Sequence, residues 1–407
     1  MNVRRSAAAL AAIAVVGAAA TPAVAASPAP SPSVVMPSGL YGSGDPTYDG
    51  VWRQSLALLA QHTVGVVPAD AAVDWLTGQQ CANGAFAAFR AEPGKACDAK
   101  TMVDTNSTAA AVQALAALGG HDAQTGKAIA WLKSVQNKDG GWGYTPGGPS
   151  DANSTAVVIG ALAAAGEKPD TVRKDGKAPQ DALLTFALSC KDGGAFAYQP
   201  DKAGKLIANA DATAAAVLGA LGEGLTAKAA AKTAAPSCSD EARTPAQAAA
   251  NGAAWLAKTV AEDGHLVSSM PGATDQPDYG NTADAVVALA AQGGTEQARK
   301  PLQWLERNAA DWAKQNGPAA FAQLIFAAHA TGTDPRSFGG QDLVAALNAT
   351  GPAPQTKSAA ATTAQEKDDK DDDGSSAFGV WWFVGVCLVA GIGIGFLLSG
   401  RRKGQQL

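Results

Sequence analysis

Charge is scarce in this sequence. Asp, Glu, Lys and Arg supply 16% of its 407 residues, against roughly 25% in ordinary soluble domains, and they balance at −5. A chain that binds nucleic acid carries a clustered basic surface; the sequence shows none, and that class is excluded. Aromatic residues are only 6%. Histidine occurs four times, as His62, His121, His265 and His329, with no cysteine at a matching spacing and no Cys-x-x-Cys pair. Zinc sites of the Asp/Cys/His kind need such spacings, so neither a metal nor another cofactor is expected. What remains plentiful is alanine, together with 45 glycines. Alanine favours helix and buries little area, so an Ala-rich core needs many closely approaching helices. This argues against a β-sandwich or a parallel-sheet enzyme.

The two ends read as an address. Residues 1–26 have the form of a secretory signal: Arg4 and Arg5, a small-apolar stretch from Ala7 to Ala20, then Ala23-Val24-Ala25 or Val24-Ala25-Ala26 for cleavage. Residues 27–44 are a Pro- and Ser-rich spacer. Residues 377–400 carry no charge, and at about 1.5 Å per residue they are long enough to cross a hydrocarbon core of ~30 Å. Arg401, Arg402 and Lys403 follow, which places the 401–407 tail in the cytoplasm. Residues 351–376, with the run Glu366-Lys-Asp-Asp-Lys-Asp-Asp-Asp, form an acidic, self-repelling stalk. The expected product is a single-pass type I protein of the cell membrane, with segment 45–350 outside the cell. That segment holds Cys81, Cys97, Cys190 and Cys238. An even number in an exported segment suggests two disulfides. Of the three connectivities, Cys81–Cys97 and Cys190–Cys238 would each brace one long excursion between helices.

Between the ends the chain repeats itself. Trp75-Leu76, Trp131-Leu132, Trp255-Leu256 and Trp304-Leu305 share a pattern, and Phe186 holds the same place in another copy. The step is 56 residues from Trp75 to Trp131, 55 on to Phe186 and 69 on to Trp255; an Ala/Lys-rich insertion around 223–244 accounts for the longest. A glycine turn follows in the sharper copies: Gln80-Cys-Ala-Asn-Gly84-Ala-Phe86, Gln136-Asn-Lys-Asp-Gly-Gly-Trp142-Gly and Cys190-Lys-Asp-Gly-Gly-Ala-Phe196. Glycine there is expected to cap the Trp-Leu helix in a left-handed conformation, with the aromatic packed back onto it. A second helix then starts at Asp104-Thr-Asn-Ser-Thr-Ala, Asp151-Ala-Asn-Ser-Thr-Ala, Asn209-Ala-Asp-Ala-Thr-Ala and Asn281-Thr-Ala-Asp-Ala, where side-chain oxygens can cap free amides. The pattern predicts about twelve helices, near 50–60, 69–80, 106–118, 125–136, 153–165, 179–189, 211–221, 244–259, 282–292, 296–315, 318–330 and 340–348. Six hairpins result. Neither end carries a polar capping repeat, which favours a closed ring over an open solenoid.

At these residues the chain resembles the α/α toroid superfamily of squalene and terpenoid cyclases, protein prenyltransferase β subunits, thioester domains and cobalamin carriers. The copy from 131 to 166 carries the resemblance most sharply, and about 45–350 is covered. The resemblance implies an all-α toroid of six inner and six outer helices around a central cavity. It does not by itself imply a reaction. Hopene-type cyclases start with an acid in Asp-x-Asp-Asp-Thr-Ala; at Asp104-Thr-Asn106-Ser107-Thr108-Ala109 and Asp151-Ala-Asn153-Ser154-Thr155-Ala156 the second and third acids are Asn and Ser. Only seven Trp fall in the toroid segment, few for a carbocation cavity. No Gly-Cys-Gly-Glu-Gln thioester segment occurs.

The leading expectation is therefore a non-catalytic receptor for a small ligand, with a corrinoid the favoured guess, feeding an uptake system through a transporter partner. Helix starts around one mouth would supply amides and hydroxyls to a polar ligand edge. The expected contacts are Asp104, Asn106, Ser107, Asp151, Asn153, Ser154, Asp211 and Asn281 at helix starts, with Trp142, Tyr144 and Tyr198 in the turns. One alternative is an isoprenoid- or glycan-acting enzyme that uses Asp104 and Asp151 as its carboxylates. Another is a cell-envelope scaffold or adhesion protein.

Overall fold

The computed structural model describes residues 36–231, 235–240, 243–268 and 274–356. The expected signal, acidic stalk, membrane span and cytoplasmic tail lie outside these residues. No helix among the described residues is long and apolar enough to cross a membrane. Twelve α-helices follow one another: α1 (Gly50–Thr63), α2 (Asp70–Gly78), α3 (Thr105–Leu118), α4 (Asp122–Ser134), α5 (Ala152–Ala164), α6 (Pro179–Phe186), α7 (Ala210–Leu221), α8 (Pro245–Thr259), α9 (Tyr279–Ala291), α10 (Thr295–Asn316), α11 (Pro318–Thr331) and α12 (Leu343–Asn348).

The odd-numbered helices form the inner ring. Each packs on the next, and α11 packs on α1, so the ring closes. Side chains at equal positions meet across neighbours, Asn153 with Asp211 and Asp284 with Gln323. The inner helices are therefore parallel, with all their N-termini at one mouth. Even-numbered helices pack outside, as α4 does on α3 and α8 on α7. Alanine explains the close approach. A Cβ on Gly219 of α7 would stand 2.9 Å from Ala156 of α5, and one on Gly252 of α8 would stand 2.9 Å from Val217.

One small structural unit recurs at four of the six inner helix starts, those of α3, α5, α7 and α9. Asp104, Asp151, Asn209 and Asp278 are the N-caps, their side chains accepting from the amides of Ser107, Ser154, Ala212 and Asn281. Four residues beyond each cap stands a threonine. The hydroxyls of Thr108, Thr155, Thr213 and Thr282 accept from the amides of Phe86, Trp142, Phe196 and Leu266. The glycine-turn residue is thus tied to the next helix before its side chain enters the core, where Phe86, Trp142, Phe196 and Leu266 are buried. The fourth start differs from the sequence reading. The cap of α9 is Asp278, three residues before Asn281, because Thr282 then keeps the same spacing as the other threonines.

The turn glycines also act differently from expectation. Helices α2 and α4 end at Gly78 and Ser134, with Gln79 and Val135 as C-caps. Gly84 and Gly140 lie five or more residues further on, with φ of +96° and +91°. Each presses on the next outer element: a Cβ would stand 2.2 Å from the Lys127 carbonyl oxygen at Gly84 and 2.4 Å from that of Ala178 at Gly140. The glycine is required by a left-handed turn and by contact with the neighbouring hairpin.

The seam of the ring lies where the chain begins and ends. The Tyr41 hydroxyl donates to the Pro352 carbonyl at 3.1 Å and accepts from Gln61 Nε2 at 2.9 Å, and the Gly42 amide donates to Thr350 at 2.8 Å. Leu40 and Tyr41 are buried in the core, so the tail of the expected 27–44 spacer belongs to the ring. Both expected disulfides are present, Cys81–Cys97 and Cys190–Cys238, each with Cα atoms 5.6 Å apart.

Candidate functional site

A cavity of ≈ 290 Å³ occupies the centre of the ring. Its wall combines Ala156, Val157, Ala214, Ala215, Leu218 and Val287 with the rings of Trp52 and Phe326. Polar groups enter from the mouth, and Gln113 and Glu223 stand at the far end. Asn106, Asn153 and Asp211 stand two residues past the caps of α3, α5 and α7, and that position points inward in each helix. Asp284 and Gln323 enter one turn deeper, from α9 and α11. Among the described residues no Lys, Arg or His lines the cavity.

The electrostatics centre on two carboxylates from adjacent helices. Burial pushes the Asp211 carboxyl above its usual range, a shift that the hydrogen bond from Asn153 Nδ2 opposes and the charges of Asp278 and Asp151 reinforce. Asp284 is pushed up to about 7, first by burial and then by the charge of Asp211. Gln323 Nε2 donates to both Asp284 oxygens, at 3.1 and 3.3 Å, and offsets part of that rise. Two carboxylates in one poorly solvated space do not both ionise readily. Near neutral pH Asp284 is therefore only partly ionised.

The other expected site residues are distributed differently. Asp104 and Asp151 are buried N-caps, bonded to the Ser107 amide at 2.6 Å and the Ser154 amide at 2.7 Å, and burial raises both carboxyls. Ser107 and Ser154 are buried with them. Trp142 sits in the core against α4, its indole N–H donating to the Leu132 carbonyl at 2.7 Å, away from the cavity wall. Tyr144 and Tyr198 are half-exposed on the rim. Their carbonyls accept from the first amides of α3 and α5, so each turn covers the preceding copy's helix start. Burial and the nearby Asp104 raise the Tyr144 phenol, and burial with Asp151 raises that of Tyr198. Asn281 is held by Asp278 through its amide at 3.1 Å and its side chain at 2.7 Å, and does not line the cavity.

Trp52, Asp284 and Gln323 are cavity residues absent from the expected contact set. A partial signal existed for the acid pair. Aligned on its cap, Asn209-Ala-Asp211-Ala-Thr213-Ala keeps an acid at the third place of Asp-x-Asp-Asp-Thr-Ala, where the two preceding copies have Asn106 and Asn153. Asp284 lies outside that motif, and only the approach of α7 and α11 gives it a role.

Fold and site together define a closed α/α toroid whose apolar central cavity is entered by paired acids. Residues 47–223 match the family model of the prenyltransferase alpha-alpha toroid domain. These residues form a domain of the prenyltransferase alpha-alpha toroid type. The chain is 37% identical over 78 residues to a drimenyl diphosphate synthase of Streptantibioticus cattleyicolor, a match covering 19% of this chain and 13% of the relative. It is 35% identical over 109 residues to a drimenyl diphosphate synthase of Streptomyces showdoensis, covering 25% and 19%. The matches thus span less than a fifth of these relatives. Among solved structures, a sugar epimerase from a ruminal bacterium superposes with a TM-score of 0.45 at 16% identity, covering 66% of this chain and 80% of that one. The ent-copalyl diphosphate synthase of Streptomyces platensis gives 0.45 at 18% identity, covering 70% and 50%.

Proposed function

We propose that the protein is an acid-initiating enzyme of the isoprenoid cyclase type, held outside the cell. The observation that carries this reading is that Asp211 and Asp284 enter one largely apolar cavity, with Asp284 held partly protonated near neutrality. The Asp284 proton passes to an olefinic or epoxide terminus of a bound isoprenoid. The next double bond then supplies its electron pair to close a carbon–carbon bond. Loss of a proton from the ring ends the reaction, and Asp284 is reprotonated, so the product is an isomer of the substrate. Asp211 remains the charged partner that keeps the proton on Asp284. Trp52 and Phe326 offer ring faces to the developing positive charge. The names of the curated relatives favour isoprenoid chemistry over the corrinoid expectation. A cavity of ≈ 290 Å³ is also at the lower limit for ligand pockets, and suits a short apolar chain better than a macrocycle. The described lining carries carboxylates and no cationic side chain, which favours an uncharged substrate at this position. The two disulfides favour an oxidising, extracellular setting, in keeping with the expected signal and membrane anchor.

The test is incubation of the purified full chain with geraniol, farnesol, geranylgeraniol, squalene and farnesyl diphosphate, with products read by gas chromatography and mass spectrometry. A cyclised isomer is expected from at least one uncharged substrate, with its rate down about 100-fold or more in Asp284→Asn. No product from any member of the panel would overturn the reading.

A further inference from the structure

The insertion that lengthens one repeat step begins at the far end of the cavity, where Glu223, Gly224 and Leu225 join its lining. After α7 the chain does not turn directly to the outside of the ring. The Glu223 amide stays on α7, donating to Leu218 O at 2.9 Å. The Leu225 amide then donates to Gln113 Oε1 of α3 at 2.9 Å, while Gln113 Nε2 donates to Val157 O of α5 at 3.2 Å. Further on, the Ala230 amide donates to Ala290 O of α9 at 3.2 Å. Ten residues, 222–231, thus touch four inner helices near their C-terminal ends, and Ala227 is buried beneath them. Two glycines admit the crossing: a Cβ on Gly160 would stand 2.8 Å from Gly224 Cα, and one on Gly224 would stand 2.5 Å from Gln113 Oε1. Gln113 and Gly160 are both nine residues beyond their caps, so the segment lies at one depth.

We infer that segment 222–231 is a floor that limits the length of the ligand, with Leu225 as the residue that sets the limit and Gln113 as its latch. The mouth layer, at Asn153 and Asp211, stands two residues past the caps, and the floor stands nine past. The seven residues between them leave about 10 Å of depth along the ring axis. An isoprenoid enters until its apolar end meets Leu225, and a longer chain leaves part of itself at the mouth among carboxylates. The inference rests on the cyclase reading for the chemical class of the ligand, and adds the limit on its length.

The experiment is isothermal titration of the full chain with uncharged isoprenoid alcohols of two, three and four isoprene units, free of any need for turnover. The two-unit alcohol is expected to bind at least about tenfold more tightly than the four-unit one. Leu225→Ala deepens the space and should raise affinity for the four-unit alcohol about tenfold relative to the two-unit alcohol, whose end loses its contact with Leu225. Leu225→Trp should act in the opposite direction and weaken the three-unit alcohol. Circular dichroism melts identify which variants are folded. A preference unchanged in both folded variants would overturn the floor and leave the acid pair to its own test by turnover in Asp284→Asn. Binding with the expected shifts but no turnover in the parent would sustain the floor and count against the cyclase chemistry. Failure of every alcohol to bind overturns both.

Discussion

Asp284 shows how far one side chain's behaviour depends on its surroundings. In an unfolded chain its carboxyl ionises near 3.8, and in the ring near 7. The folded state therefore binds the extra proton between these values. Its contribution to stability is greatest below pH 4 and falls as the pH rises towards 7. Asp284→Asn removes that dependence. By urea titration the variant should match the parent near pH 4 and exceed it at pH 8 by on the order of 1–3 kcal/mol. A parent that is more stable at pH 8 than its Asn variant would show that Asp284 is ionised at little cost. Asp104 and Asp151 occupy more recognisable motif positions, yet each holds a helix amide at its own N-terminus.

Each element is specified by contacts made at short range along the chain and then locked by its neighbour. The cap, the threonine four residues later and the buried residue after the glycine turn form one hydrogen-bonded unit in four copies. Glycine enters where that unit meets the next hairpin. Gly140→Ala puts a Cβ into a left-handed turn and against the Ala178 carbonyl. The expected loss is at least about 2 kcal/mol, read from the shift in denaturation midpoint. Gly65, also left-handed but with nothing within 4 Å of a Cβ, serves as the comparison, and Gly65→Ala should lose only about 1 kcal/mol. Equal losses at both sites would remove the role of the neighbouring hairpin.

Across the whole molecule the decisive feature is closure. A ring of parallel helices has no exposed end repeat only if its first and last segments meet, and here Tyr41 is the joint. Its ring lies in the core while its hydroxyl links Gln61 of α1 to the Pro352 carbonyl. Tyr41→Ala removes both the packing and the bonds, and should cost about 3–5 kcal/mol. Hydrogen exchange should then open first along α1 and α11, the two helices that meet at the seam. Uniform loss of protection around the ring would mean that the seam is not its weak point.

Helix count, order and pairing were legible in the amino-acid sequence because they rest on local signals: the Trp-Leu step, the Asp or Asn cap and the alanine-rich face. The disulfide pairing was legible too, since each bridge closes one excursion between recognisable helices. The cavity was only half legible. Asn106, Asn153 and Asp211 follow from their fixed distance to a cap, whereas Trp142, equally prominent in the repeat, turns into the core. Leu40 and Tyr41 sit beside a Pro/Ser-rich run that suggests a spacer, and the contacts that bury them come from the opposite end of the chain. The sequence by itself determined that these residues make six helical hairpins. Tertiary structure alone decided that the ring closes through Tyr41, that Asp284 shares a cavity with Asp211, and that an Ala/Lys-rich insertion crosses the cavity's far end. Helix caps and periodicity act over a few residues, but a carboxyl's proton affinity and a cavity's depth are set by groups far apart in the chain.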